Sequence, residues 1–147
     1  MPKRKRKTRK GSRKRSPSLT QLKKQLWELC KQITRKRYVK EDGTWNCYTC
    51  GKLIDVPSKA QSGHCINSHF GGIRLRYDLR NLRIQDYYCN INLGSNGAVY
   101  LMKLRDEIGD EEVDSMFSLL AMKGIPIDEE LFIQDLIAKY QIILNSL

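Results

Sequence analysis

Apolar residues recur at helical spacing near the start of the chain and again in its last third. The first group falls at intervals of three to four residues: Leu19, Leu22, Leu26, Leu29 and Ile33. Such spacing is typical of a helix with one buried face. Ser18 stands three residues before Gln21, which is the sequence of a capping box. We therefore predict a first helix over residues 18–37.

The last third of the chain predicts three more helices. The first spans residues 98–108 and ends at Gly109, and Asp110 is expected to cap the next. Asp128 is expected to cap the last helix. The apolar residues of that helix cover more than one stripe: Ile133, Leu136, Ile137, Tyr140, Ile143, Leu144 and Leu147. So broad a face has to be covered, either by ordinary core packing, which is the default, or by a homodimer through the C-terminal helices.

The middle of the chain is typical of short strands and turns. Residues 45–50 and 52–56 predict two strands around a tight turn, and residues 62–67 predict a further strand that carries His64. A short helix is expected to begin near Cys89. The middle third therefore predicts a small strand-rich unit between helical flanks.

Residues 73–77 alternate apolar and basic side chains with a period of two. We predict a half-exposed strand or extended loop there, after a turn at residues 70–72. The alternation would point several basic side chains to one side: Arg74, Arg76, Arg80 and Arg83. Contact with the DNA backbone is the natural use of such a cluster, and a solvated basic strand is the alternative.

The net charge of +11 is concentrated at the N-terminus. Residues 1–16 contain no acid and ten basic side chains: Lys3, Arg4, Lys5, Arg6, Lys7, Arg9, Lys10, Arg13, Lys14 and Arg15. The other 131 residues carry 17 basic and 16 acidic side chains. Such a like-charge block is expected to be disordered and to bind nucleic acid through phosphates, independently of base sequence. A solubility tail or a nuclear-import address are the alternatives.

Composition also excludes some classes of protein. The chain has no run of about 18 apolar residues, so we expect no membrane span, and its basic start lacks the apolar segment of a secretory signal. Five cysteines are an odd number. Because two of them stand at metal-knuckle spacing, a metal site in a reducing compartment is favoured over a disulfide framework.

Three cysteines and one aspartate are the predicted zinc ligands. Cys47 and Cys50 stand two residues apart before Gly51, which is the spacing of a turn that directs two thiolates at one metal. Cys89 is the expected third ligand. Asp86 would complete a tetrahedral site, and Cys65 is the alternative fourth ligand. Zinc in such a site would serve folding rather than catalysis.

His64, Asn81 and Asn90 are the candidate catalytic residues. Hydrolysis of a phosphodiester needs a base to activate water and a cation to stabilise negative charge. A neutral histidine can be that base near pH 7, and an asparagine can hold its tautomer. Side-chain carbonyl oxygens suit a hard cation such as Mg²⁺. A structural histidine is the alternative for His64.

These motifs resemble those of the phage NinG/Rap recombination nucleases, a branch of the HNH (His-Me finger, treble-clef) superfamily. The resemblance covers residues 20–147 and rests on short motifs in a fixed order: Leu26-Trp27, Cys47-x-x-Cys50-Gly51-Lys52, Gly63-His64, Leu75-Arg76-Tyr77-Asp78, Arg80-Asn81, Gln85, Cys89-Asn90, Gly94-Ser95-Asn96 and Ile108-Gly109. Asp86 stands where the family usually has cysteine, and Cys65 where it usually has an aromatic residue. Gly63 precedes the histidine, as in the family, so one ligand of the catalytic metal is unidentified.

The resemblance implies a metal-dependent endonuclease that acts on branched recombination intermediates such as Holliday junctions, D-loops or flaps. His64 would be the general base, Asn90 a ligand of a catalytic Mg²⁺ or Mn²⁺ ion, and Asn81 a supporting residue. The site of action would be the cytoplasm of a phage-infected bacterium, or the nucleus of a eukaryotic host.

We therefore predict an α+β protein in four parts. A disordered basic tail (1–17) and an N-terminal helix (18–40) would precede a zinc-stabilised ββα-metal finger of the HNH, treble-clef-like type (41–97), and a helical region (98–147) would follow. Two other functions stay open. One is a non-catalytic zinc module that binds nucleic acid, and the other is an HNH nicking nuclease for linear duplex DNA.

Overall fold

A computed structural model describes residues 14–147. Most of the basic tail, including every predicted DNA contact from Lys3 to Arg13, lies outside these residues, whereas Lys14 and Arg15 are described and exposed. The described part contains five α-helices and four short strands: α1 Leu19–Tyr38, β1 Trp45–Asn46, β2 Leu53–Ile54, β3 Gln61–His64, α2 Ser68–Arg76, β4 Leu82–Gln85, α3 Gly97–Ile108, α4 Asp110–Ser118 and α5 Glu129–Ser146. The predicted mixture of helices and strands is confirmed.

Helix α1 begins at the predicted cap. The Ser18 hydroxyl accepts from the Gln21 amide at 3.3 Å, and the Gln21 side chain accepts from the Ser18 amide at 2.8 Å. This reciprocal pair satisfies two amides that a helix start otherwise leaves free. The buried face of α1 packs against α5, with Leu26, Ile33 and Ile133 fully buried.

The strands form two small antiparallel sheets. In the first, Trp45 pairs with Ile54, and in the second, Gly63 pairs with Arg83 and His64 with Leu82. Strand β1 is shorter than predicted because the chain turns into the cysteine knuckle at Cys47. Strand β4 was not predicted as a strand, although its four residues alternate apolar and polar side chains; all four are buried, including Arg83 and Gln85.

The prediction of a strand or extended loop at residues 73–77 was wrong. Residues 73–76 belong to α2, which Asn67 caps by accepting from the His69 amide at 2.9 Å, and Tyr77 is the C-cap. The turn predicted at residues 70–72 is present as a break inside α2, where Gly72 has a φ of 70° and a ψ of −170°. Gly71 and Leu75, the buried residues of α2, lie on either side of this break, and a side chain at position 71 would collide with Leu75.

Helices α3 and α4 pack against the segment after β3 and against α2. Tyr100, Leu104, Val113 and Met116 of α3 and α4 form one buried cluster with Leu75. Gly109 rather than Asp110 precedes α4, and Asp128 caps α5 as predicted by accepting from the Leu131 amide. No helix among residues 14–147 is long and apolar enough to cross a membrane. Whether the chain forms a homodimer stays a prediction.

The α1–α5 contact predicts a large loss of stability for Ile133→Ala. Because Ile133 is fully buried between the helices, we expect the free energy of unfolding to fall by about 2–5 kcal/mol, measured by chemical denaturation. Ile142, which is 71% exposed on the same helix, is the matched control, and Ile142→Ala should change stability by less than about 0.5 kcal/mol. Equal losses would contradict the packing described here. A loss for Ile142→Ala that depends on protein concentration would indicate a homodimer.

Candidate functional site

Cys47, Cys50, Asp86 and Cys89 form a cluster that can hold a metal ion. One ligand atom from each lies within 4.8 Å of the others. Cys47 and Cys50 stand in the turn after β1, which closes at Gly51 with a φ of 77°. Asp86 follows β4, and Cys89 lies on the helical turn Tyr88–Asn92. Three thiols and one carboxylate are donors that suit zinc.

The Asp86 carboxylate accepts two hydrogen bonds within this cluster. The donors are the Cys89 amide, at 2.9 Å, and the Cys50 thiol, at 3.1 Å. Desolvation opposes ionisation of Asp86, but these hydrogen bonds outweigh it and lower the pKa of the carboxyl. Desolvation and the neighbouring carboxylate raise the pKa of the Cys50 thiol. A metal that binds here must therefore displace a thiol proton, which makes its affinity depend on pH.

Cys65, the alternative fourth ligand, lies outside the cluster. It packs beside the buried group that includes Ile66 and Tyr100, and burial raises the pKa of its thiol to about 11. Of the two predicted fourth ligands, Asp86 and Cys65, the structure places Asp86 with the three cysteines.

His64 ends β3 with its imidazole held on two sides. Nε2 lies 2.9 Å from the backbone carbonyl oxygen of Arg76, and the ring stacks on Trp27 with centroids 5.4 Å apart and planes 10° apart. Because a carbonyl only accepts hydrogen bonds, Nε2 must carry the hydrogen, and the lone pair of the neutral ring is on Nδ1. Burial lowers the pKa of His64, partly opposed by the Arg76 carbonyl. The neutral ring is the form that can accept a proton.

Asn81 has a structural role next to the histidine, where it joins two segments of the chain by hydrogen bonds. It is fully buried, and its side chain accepts from the Ile66 amide at 2.7 Å and donates to the carbonyls of Ile66 and Leu75 at 3.0 and 3.1 Å. Within residues 14–147 its side chain makes no hydrogen bond to His64. Asn81 therefore joins the segment after β3 to α2, whose Arg76 carbonyl holds the imidazole, and its predicted effect on His64 is at most indirect.

Asn90 lies on the other side of the end of β3. Its amide nitrogen donates to Gln61 Oε1 at 2.9 Å, and its carbonyl oxygen Oδ1 lies 3.1 Å from the point where a Cβ of Gly63 would stand. Successive residues of a strand point to opposite faces, so Asn90 approaches the face of β3 opposite to the one that carries the His64 ring.

The four arginines predicted to contact DNA do not share one face. Arg83 is only 3% exposed, with its guanidinium 3.0 Å from Glu107 and stacked on Tyr38 and Tyr48. Arg80 pairs with Asp78 and Glu112, and Arg74 donates to the carbonyls of Met122 and Ile125. Arg76 is exposed. Residues two apart on a helix do not face each other, so Arg74 and Arg76 of α2 point apart.

A groove of about 380 Å³ lies between α1 and α2, next to His64. Trp27 and Arg76, the two partners of the imidazole, form part of its wall, together with Lys23, Lys24 and Glu129. Glu129 pairs with Lys23 at 2.7 Å. Three basic groups and one acidic group give the groove a positive balance.

Comparison with protein-family profiles matched residues 1–147 to the bacteriophage lambda NinG protein. The chain belongs to the NinG family. Searches of curated proteins and of solved structures found no match to it.

Three residues around the candidate site escape simple pattern analysis. Trp27 has the spacing of an ordinary core residue of an amphipathic helix, although it stacks on His64. Gln85 and Glu107 gain their roles from contacts distant in sequence, with Thr49 and Ser95 for Gln85 and with Arg83 for Glu107. The motifs of the resemblance include Trp27 and Gln85 but not Glu107.

The cluster predicts that zinc content depends on Cys89 and not on Cys65. We expect the wild type and Cys65→Ser to retain zinc after dialysis, and Cys89→Ser to lose both zinc and thermal stability, because structural zinc contributes folding free energy. Inductively coupled plasma mass spectrometry and thermal melting measure the two effects. Loss of zinc from Cys65→Ser, with retention of zinc in Cys89→Ser, would show that Cys65 and not Cys89 is a zinc ligand.

The stacked and half-buried imidazole predicts a low pKa for His64. Its NMR titration midpoint should lie below the ordinary 6.5, because burial disfavours the charged ring. Trp27→Ala exposes the ring and should raise the midpoint towards that value, whereas Trp27→Phe keeps an aromatic cover and should change it less. A His69→Gln variant assigns the signals. A midpoint that Trp27→Ala leaves unchanged would contradict burial by Trp27 as the cause.

Proposed function

We propose that this protein is a metal-dependent endonuclease that hydrolyses phosphodiester bonds in branched DNA, such as Holliday junctions, D-loops or flaps. The observation that carries the proposal is the state of His64, a partly exposed neutral imidazole with Nε2 fixed on a carbonyl and Nδ1 left to accept a proton. Membership of the NinG family and the resemblance to recombination nucleases supply the substrate class.

The elements around His64 support a ββα-metal finger. β3 and β4 form the ribbon, and the helical turn Tyr88–Asn92 follows it. The cysteine cluster ties the start of that turn to the knuckle after β1, so zinc at Cys47, Cys50, Asp86 and Cys89 would hold Asn90 in place against β3.

His64 would take a proton from the attacking water through Nδ1. The Arg76 carbonyl keeps Nε2 protonated, and stacking on the Trp27 ring fixes the orientation of the imidazole. These contacts prepare the base without a change of tautomer. Asn81 acts through α2 by holding the Arg76 segment close to β3.

Asn90 is the proposed ligand of a catalytic divalent cation. Because Asn90 approaches β3 on the face opposite to the His64 ring, the scissile phosphate would meet both groups only at the end of the strand, where β3 stops at His64. The Gln61 contact fixes the amide group so that a hard oxygen, Oδ1, remains available. When bound, Mg²⁺ or Mn²⁺ would supply positive charge that offsets the negative charge developing on the phosphate and leaving oxygen.

Exposed basic groups would hold the DNA backbone. Lys23, Lys24 and Arg76 line the groove beside His64, and the basic tail adds affinity that does not depend on base sequence. Of the predicted arginine contacts, Arg76 is the most available, because the other three guanidinium groups are engaged by protein acceptors.

Cleavage of labelled four-way junction, flap and linear duplex tests the proposal. With Mg²⁺ or Mn²⁺, the wild type should cut branched DNA, and His64→Ala should lower the rate about 10²- to 10⁴-fold because the base is lost. His69→Ala is the matched control and should retain activity. The wild-type rate should fall on the acid side of a pKa below 6.5, since protonated His64 cannot accept a proton.

Two other results would favour the alternative functions, a nucleic-acid-binding zinc module and a nicking nuclease. Binding without cleavage of any substrate by folded, zinc-loaded protein would leave a nucleic-acid-binding zinc module and refute the nuclease. Equal cleavage of linear and branched DNA, still dependent on His64, would indicate a nicking nuclease and refute the branched substrate class.

A further inference from the structure

The side chain of Gln85 has a buried oxygen without a hydrogen-bond donor. Gln85 is fully buried on β4, and its amide nitrogen donates to Thr49 Oγ1 at 3.1 Å and to the Ser95 carbonyl at 2.8 Å. Both hydrogens of the amide are thereby used, and the orientation of the group is fixed. Within residues 14–147, no group donates to Gln85 Oε1.

Such an oxygen normally has a partner. Leaving a buried acceptor unsatisfied costs free energy comparable to a lost hydrogen bond, and native proteins rarely do so. A bound ion or an ordered water is the usual explanation when no protein donor is present. The surroundings of Oε1 therefore identify what it binds.

Gln85 Oε1 points to the position of the side chain that Gly63 lacks. A Cβ atom at Gly63 would overlap this oxygen and would lie 3.1 Å from Asn90 Oδ1. Two side-chain carbonyl oxygens thus converge beside Gly63, one from β4 and one from the helical turn. The nitrogen of each amide is held elsewhere, by Thr49 and Ser95 for Gln85 and by Gln61 for Asn90.

We propose that Gln85 Oε1 and Asn90 Oδ1 are two protein ligands of one divalent cation, Mg²⁺ or Mn²⁺. The inference rests on the proposed nuclease function, in which Asn90 is a ligand, and it supplies the second ligand. Both atoms are hard oxygens, as these cations prefer. Glycine at position 63 is required because any side chain there would displace the Gln85 oxygen.

Binding of Mn²⁺ to the full-length, zinc-loaded chain tests this assignment, with the loss of the free Mn²⁺ signal in electron paramagnetic resonance as the readout. Gln85→Met keeps a chain of similar length without the oxygen, and should weaken Mn²⁺ binding at least about tenfold. Gly63→Ala places a methyl group where the Gln85 oxygen lies, so it should weaken binding as well. Asn90→Ala should weaken binding as Gln85→Met does.

Ser62→Ala is the matched control for damage to the buried strands. Ser62 is a buried neighbour of Gly63 on β3 whose side chain points to the opposite face, and its hydroxyl makes no hydrogen bond within residues 14–147. Mn²⁺ binding by this variant should therefore remain close to that of the wild type. Thermal melting checks that each variant is folded. Should Gln85→Met not fold, weaker binding by folded Gly63→Ala would support the ligand role, and unchanged binding would overturn it.

The results separate this inference from the proposed function. If the wild type cuts DNA and Asn90→Ala does not, but folded Gln85→Met binds Mn²⁺ and cuts as the wild type does, Gln85 is not a ligand and the nuclease stands. In that case the oxygen is satisfied by water. If the wild type neither binds Mn²⁺ nor cuts DNA, both proposals fail.

Discussion

The antiparallel pairing of β3 with β4 is the constraint on which the rest of the structure depends. Its register sets Gly63 opposite Arg83 and His64 opposite Leu82. Since neighbouring residues of a strand point to opposite faces, a slip of one residue would exchange the face that carries His64 with the one that meets Asn90. The same pairing positions Asp86, which directly follows β4, beside the cysteine knuckle. The candidate base, the candidate cation site and the candidate zinc site thus all depend on the four residue pairs of this ribbon.

The buried Arg83 extends this constraint to the C-terminal helices. Its guanidinium leaves β4, passes between Tyr38 and Tyr48, and ends on Glu107 of α3. Desolvation opposes the charge, but Glu107, Tyr38 and Tyr100 together offset it and raise the pKa of the arginine. Removing Glu107 would leave a buried charge without its partner, which is strongly destabilising. The Arg83–Glu107 contact therefore joins α3 to β4.

Helix periodicity allowed α1, α3 and α5 to be predicted closely, because long amphipathic helices carry a repeated signal. The spacing of the cysteines and Asp86 likewise predicted the cluster that can hold a metal, whereas the order of His64, Asn81 and Asn90 did not predict that Asn90 lies on the other face of β3. The error at residues 73–77 had a local cause, since α2 is broken at Gly72 and leaves too short a helical segment to show its period. The burial of Arg83 against Glu107 could not be predicted, because the two residues are 24 positions apart and no sequence motif links them.

The ion pair between Lys23 and Glu129 has a consequence for exchange of ligands in the groove. The carboxylate holds the lysine much as a phosphate oxygen would, so an incoming backbone must displace an internal competitor. The free energy gained from a new lysine–phosphate contact is then only its difference from the lysine–carboxylate contact that it replaces. In the proposed nuclease, this internal competition would weaken the hold of the groove on DNA and ease the release of a cut strand.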